Sequence, residues 1–186
     1  MKTQGEMAYT FAEMLDDLFK KEGGYVYNKN DRGGETNFGI TKTTALDHGY
    51  RGEMKDLPIE IARRIYKNSY WSKPRINKLY DMSLFRTSRE LFFTAVHCGP
   101  RRAIKFLQRS LNCLSLNERD FKHLDVDGLW GPATQRALGA FIRRRKHGPA
   151  DIALRKLITA NRVMHYVTLC ERDPKQEVFF YGWTRR

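Results

Sequence analysis

The sequence predicts a mainly α fold of the α+β kind: a long first helix, a small β-hairpin over residues 25–41 next to it, and then a helical lobe. Three observations carry this expectation. Thr10 and Glu13 form a Thr-x-x-Glu capping box ahead of an apolar stripe at helical spacing. Residues 28–34 are dense in Asn, Asp and Gly, and 37–41 alternate polar with apolar. Later in the chain, segments beginning near Ile59 and Pro132 repeat apolar residues at helical steps.

In the first helix Phe11, Met14, Leu15, Leu18 and Phe19 make one apolar face, and Gly23-Gly24 supplies the Cβ-free conformation that ends helices. The hairpin follows: turn chemistry at 28–34, then Asn37-Phe38-Gly39-Ile40-Thr41, whose glycine lets a backbone or ligand approach. Ile59 to Tyr66, running on to Tyr70-Trp71, reads as an amphipathic helix started by Asp56 and Pro58. Pro132 is placed to open a helix through Ala137, Leu138, Phe141 and Ile142. Trp183 reads as an aromatic lid on the core.

The chemistry-bearing residues cluster early. Glu22 falls in the last turn of the first helix, where the negative end of the dipole penalises a carboxylate and raises its pKa. Partial burial beside Tyr25 or Phe38 would raise it further, toward the protonated state that a general acid needs. Asp31 follows nine positions later in a turn, and Thr36 five beyond that in a short β segment. Two carboxylates on different backbone elements suit glycosidic bond cleavage. Taken singly, Glu22 reads as a surface residue beside a Gly-Gly cap, Asp31 as a turn cap and Thr36 as a solvated strand hydroxyl; it is their arrival together within fifteen positions that points to a site. Glu35 is the reserve carboxylate: it and Thr36 point to opposite faces of a strand, so one alone can face a cleft.

Size and composition bound the rest. The 186 residues make one domain, or a catalytic region with a small helical appendage. The acidic residues Glu6, Glu13, Asp16 and Asp17 argue against a signal-peptide core, and no run is long and apolar enough to span a membrane. The expected location is therefore the cytoplasm of the producing cell. Cys98, Cys113 and Cys170 read as buried free thiols. Asp125-x-Asp127-Gly128 lacks the later ligands of a calcium loop. No metal site and no cofactor are expected.

Glu22-Gly23-Gly24-Tyr25 followed by Asp31-x-Gly-Gly-x-Thr36-Asn-Phe-Gly-Ile-Thr41 resembles the signature of glycoside hydrolase family 108, the phage-type N-acetylmuramidases. Its Glu-x8-Asp-x4-Thr spacing is also similar to the Glu-x8-Asp-x5-Thr triad of phage lysozymes, one residue shorter in the second interval. The resemblance implies a lysozyme-like fold, Glu22 as catalytic acid, and Asp31 and Thr36 positioning the attacking water. It makes Tyr25, Glu35, Asn37, Phe38 and His97 candidates for substrate contact. The 59–71 helix and the segment Leu91–Pro100 resemble family helices, the second departing at Phe93 and His97, where the family reads Asp and Asn. Asp127-Gly-x-x-Gly-Pro132-x-Thr134 resembles the turn of small peptidoglycan-binding modules, and Gly182-Trp183-x-Arg185 the family's Gly-Trp-x-x-Arg.

The division this implies is 1–98 for a lysozyme-like catalytic region and 99–186 for a helical peptidoglycan-binding-like region, with the two possibly forming one domain. A net charge of +13 demands an anionic partner. No nucleic-acid module is recognisable despite Arg143-Arg144-Arg145-Lys146, and the basic residues are spread along the chain. The expected partners are thus peptidoglycan glycan strands and the anionic polymers of the cell envelope, not nucleic acid, with the protein a monomer. The expectation is an endolysin that cleaves the β-1,4 bond between N-acetylmuramic acid and N-acetylglucosamine and reaches the wall after release. Two other classes stay open: a non-catalytic wall-binding or secretion-accessory protein, and a basic nucleic-acid-binding protein. A lytic transglycosylase is a variant of the first, and Asp31 tilts the choice to hydrolysis.

Overall fold

The computed structural model describes residues 9–27 and 34–184. The chain falls into two compact units, Met1–Lys73 and Pro74–Arg186.

The first unit starts with α1 (Phe11–Glu22), and the capping box is complete. The Glu13 amide donates to Thr10 Oγ1 at 3.2 Å, and the Thr10 amide to Glu13 Oε2 at 2.7 Å. Met14, Leu15 and Leu18 are buried on the apolar face. The helix stops at Gly23, whose φ of 75° and ψ of −172° suit glycine and penalise any side chain. Of the expected glycine pair, only Gly23 has a positive φ.

The hairpin is a three-stranded antiparallel meander of β1 (Val26–Tyr27), β2 (Glu35–Asn37) and β3 (Ile40–Thr41). Its register pairs Val26 with Thr36 and Tyr27 with Glu35, then Thr36 with Thr41 and Asn37 with Ile40. Phe38 and Gly39 join β2 to β3 with φ of 52° and 71°, the positive values that a tight two-residue hairpin turn requires. A phenylalanine there is strained, and it is held from outside: Tyr66 Oη donates to the Phe38 carbonyl at 2.9 Å, and the Phe38 ring packs on Phe19 at 5.3 Å.

Thr41 caps α2 (Lys42–Asp47) by accepting from the Thr44 amide at 3.2 Å. After a short 3-10 turn, Met54–Asp56, comes α3 (Ile59–Tyr66), with Pro58 at its N-cap and Ala62, Ile65 and Tyr66 buried. The helix expected to run on to Tyr70-Trp71 changes winding there. Lys67–Ser72 forms a wider π turn that buries Trp71 against Phe11, ring centroids 4.8 Å apart.

The second unit is helical: α4 (Asn77–Asp81), α5 (Phe85–Cys98), α6 (Pro100–Cys113), α7 (Pro132–Arg145), α8 (His147–Arg172) and α9 (Glu177–Thr184). Pro132 opens α7 as its spacing predicted. Helix α8 packs against α5, α6, α7 and α9, and Phe92, Leu107, Leu138, Phe141, Leu154 and Ile158 fill the core. Each such side chain contributes about 1.5–3 kcal/mol by leaving water. Two polar links lock α8 to α5. Asp151 accepts from the Arg86 and Thr87 amides at 3.0 and 2.8 Å, satisfying orphan donors of the first turn of α5. Arg162, 6% exposed, pairs with Glu90 at 3.0 Å. Breaking that pair from one side would strand a buried charge.

The cysteine expectation needs one correction. All three thiols are free, but Cys113 is exposed and Cys98 and Cys170 are half-buried. Cys113 ends α6 away from the face that buries Ala103, Ile104, Leu107 and Leu111. Trp183 is half-buried, its ring 5.2 Å from Tyr166. Among the described residues no helix is long and apolar enough to cross a membrane.

Candidate active site

Glu22 is the final residue of α1, and β1 begins four residues later. The helix therefore ends on this glutamate, at the negative end of its dipole, with Lys20 and Lys21 in the same turn. The Glu22 side chain and Asp31 lie outside the described residues. Thr36 stands on β2 directly across from Val26, and its hydroxyl donates to the Val26 carbonyl over 3.5 Å, a long contact.

On the other face of β2, Glu35 is held at both carboxylate oxygens. Tyr25 Oη donates to Oε1 at 3.1 Å, and Lys42 Nζ to Oε2 at 2.8 Å. The Lys42 bond first, then the Tyr25 bond, hold Glu35 below the usual carboxylate range. Partial burial, then the Glu35 hydrogen bond, push the Tyr25 phenol up. Glu35 is thus kept an anion and is ill-suited to donate a proton. What it does visibly is tie Tyr25, three residues after Glu22, to β2 and to the start of α2.

The rest of the signature builds the scaffold. Asn37, 5% exposed, donates its side-chain amide to the carbonyls of Met54 and Lys55 at 2.8 and 3.3 Å. Phe38 and Gly39 make the turn, Ile40 is core and Thr41 caps a helix. Of the candidate contact residues in this unit, Tyr25 is the most open, 41% exposed. Val26 and Tyr27 beside it are also exposed. His97 belongs to the second unit, half-buried in the last turn of α5. Phe93, the other departure from the family pattern, packs on Phe92 and lies under the Arg89 guanidinium at 5.3 Å.

The second motif is organised by a residue that its pattern does not contain. Gln108 of α6, 2% exposed, donates to Asp127 Oδ1 at 2.8 Å, the Leu129 carbonyl at 3.1 Å and Thr134 Oγ1 at 3.3 Å. Its oxygen accepts from the Gly128 amide at 2.9 Å. Gln108 and Lys42 were not legible as site-organising residues. The signal for Lys42 was faint: a cation seven residues after Glu35.

Among the described residues no group of three or more His, Cys, Asp or Glu could hold a metal. Residues 15–99 match the family model described as Glycosyl hydrolase 108, and residues 102–186 match one described as a Predicted Peptidoglycan domain. The chain is thus similar over residues 15–99 to glycosyl hydrolase 108 and over residues 102–186 to a predicted peptidoglycan domain, which supports a glycoside hydrolase acting on peptidoglycan. Its fold is similar to that in the solved "Structure of Brucella abortus SagA", at 24% identity and a TM-score of 0.63. That similarity covers 95% of this chain and 96% of the other. No curated protein matches the sequence. The family and compact-unit divisions differ: α4 and α5 lie within the hydrolase match yet pack in the second unit.

Proposed function

We propose that the protein is a muramidase that cleaves the β-1,4 bond between N-acetylmuramic acid and N-acetylglucosamine, with Glu22 donating the proton to the leaving oxygen. The observation that carries this reading is the seat of Glu22. It closes α1 at a glycine-specific break inside the glycosyl hydrolase 108 match, four residues from the sheet. A helix C-terminus disfavours the ionised carboxylate, which suits a residue that must hold its proton. Asp31 and Thr36 orient the attacking water, and the exposed Tyr25 offers a ring to the sugar. The high positive charge favours the anionic envelope polymers. The biological setting we infer is cell lysis of the endolysin type, by a monomer made in the cytoplasm and acting on the wall after release.

Mass spectrometry of muropeptides freed from purified sacculi tests the bond: reducing-end N-acetylmuramic acid is expected. Reducing-end N-acetylglucosamine or an anhydro-sugar would overturn the assignment. Glu22→Gln keeps shape without a proton and should cost at least about 10²–10⁴-fold in rate. Retention of a tenth of the activity removes Glu22 from the mechanism.

A further inference from the structure

The second unit carries a groove of about 900 Å³ that none of the catalytic candidates lines. It is bounded by the 120–125 segment, by one face of α7, and by Arg75 and Met82. On α7, the lining positions Ala133, Arg136, Ala137, Ala140 and Arg143 recur at steps of three and four, so they share a face. The alanines keep this face low. The Arg143 guanidinium lies back along the helix, with Nη1 3.3 Å from where a Cβ on Gly139 would stand.

The opposite wall, residues 120–125, follows a turn that lies outside the lining. Leu116, Asn117 and Glu118 run consecutively at φ of 56°, 54° and 60°, a left-handed turn of non-glycine residues. External bonds hold it in place. Asn112 exchanges two hydrogen bonds with the Leu124 backbone at 2.7 and 2.9 Å, and Glu118 accepts from the His123 amide at 2.8 Å. The bonds from Asn112 and Glu118 fix Leu124 and His123 in the wall before any ligand arrives.

Arg75, Lys122, Arg136 and Arg143 contribute positive charge to the lining, against Asp120 and Asp125. One buried carboxylate oxygen of Asp120 makes no hydrogen bond, and Arg144 Nε stands 4.0 Å from it. We propose that this groove binds the stem peptide of peptidoglycan, which carries alternating methyl and carboxylate groups and a free amine. The proposal rests on peptidoglycan being the polymer. Arginine forks fit carboxylates, Asp120 and Asp125 suit the amine, and the alanine floor with Leu124 suits the methyls. A bare glycan strand offers lactyl carboxylates but no free amine, and would call for several aromatic platforms. Phe121 is the single Phe, Tyr or Trp in the lining.

Calorimetric titration of the full chain with the tripeptide L-Ala-γ-D-Glu-diaminopimelate tests this. The wild type should bind it, and Arg136→Ala should weaken binding about tenfold through loss of a charge-assisted contact. Ala140→Trp should block binding with every charge retained. Thermal melts establish that both variants are folded, and the exposed Arg136→Glu replaces Ala140→Trp if that variant is not. Equal binding by the variants overturns the proposal, as does full competition by peptide-free glycan strands. A wild type that cleaves sacculi but ignores the tripeptide overturns the groove alone. Tripeptide binding without cleavage of any sacculus supports the groove and overturns the hydrolase reading.

Discussion

Each unit holds its signature turn with one buried side-chain amide, and the two do it in different ways. In the first, Asn37 is part of the signature and reaches outward to the Met54 and Lys55 carbonyls. In the second, Gln108 lies nineteen residues before Asp127 and reaches into the turn from α6, meeting Asp127, Gly128, Leu129 and Thr134. The first turn carries its bracket with it, whereas the second is shaped by a neighbouring helix. A turn of the second kind has more partners to lose and less room to adjust.

The largest effect should come where that room is least. Gly128 has φ of +80°, and a Cβ there would stand 2.5 Å from the Arg101 carbonyl oxygen. The backbone conformation alone costs an alanine about 1–2 kcal/mol. With the clash added, Gly128→Ala should lose about 4 kcal/mol or more, read as a denaturant midpoint shift at constant slope. A loss below the strain figure would mean that α6 and the turn separate easily.

Next comes Gln108→Leu, which leaves the Gly128 amide and the Leu129 carbonyl without this partner. It should cost about 3 kcal/mol, since each stranded buried group is worth about 1–3. Asn37→Leu removes the bracket on the other side, where two carbonyls lose a donor, and should cost about 2 kcal/mol. If Asn37→Leu proves the more damaging of the two, the contrast between self-bracketed and externally bracketed turns fails.

The smallest effect sharpens the first unit alone. The folded-state pKa of Glu35 lies below the ordinary 4.5, so its bond to Lys42 stabilises fully above that value. The contribution is lost as the pH falls through the lowered folded value. Lys42→Met should therefore melt slightly below wild type at neutral pH, and the two should converge in acid. A gap that widens in acid would refute the ion-pair account.

What was legible in the sequence was what short stretches decide. The Thr10–Glu13 box, the stop after Glu22, the hairpin through Gly39 and the opening of α7 at Pro132 each depend on residues within a turn of one another. The signature falls within the glycosyl hydrolase 108 match. Its specificity, however, comes substantially from scaffold: Asn37, Phe38, Gly39, Ile40 and Thr41 make a turn, a core contact and a helix cap. What was not legible depends on distant partners. Gln108, Asp151 and Arg162 act across helices, and nothing local marks them as brackets. Cys113 was expected inside because cysteine is usually buried, but the packing of α6 decided which face its last turn shows.

Helix α8, 26 residues and about 39 Å long, is the element that α5, α6, α7 and α9 share. During synthesis it emerges after three of those partners, so α5 to α7 leave the ribosome with their common apolar seat still unmade. Residue Asp151, which completes the first turn of α5, is made 64 positions after Thr87. The second unit must therefore wait, partly formed and with apolar faces open, until residues near Arg172 are free. In that interval the nascent chain is most exposed to chaperones, proteases and other copies of itself.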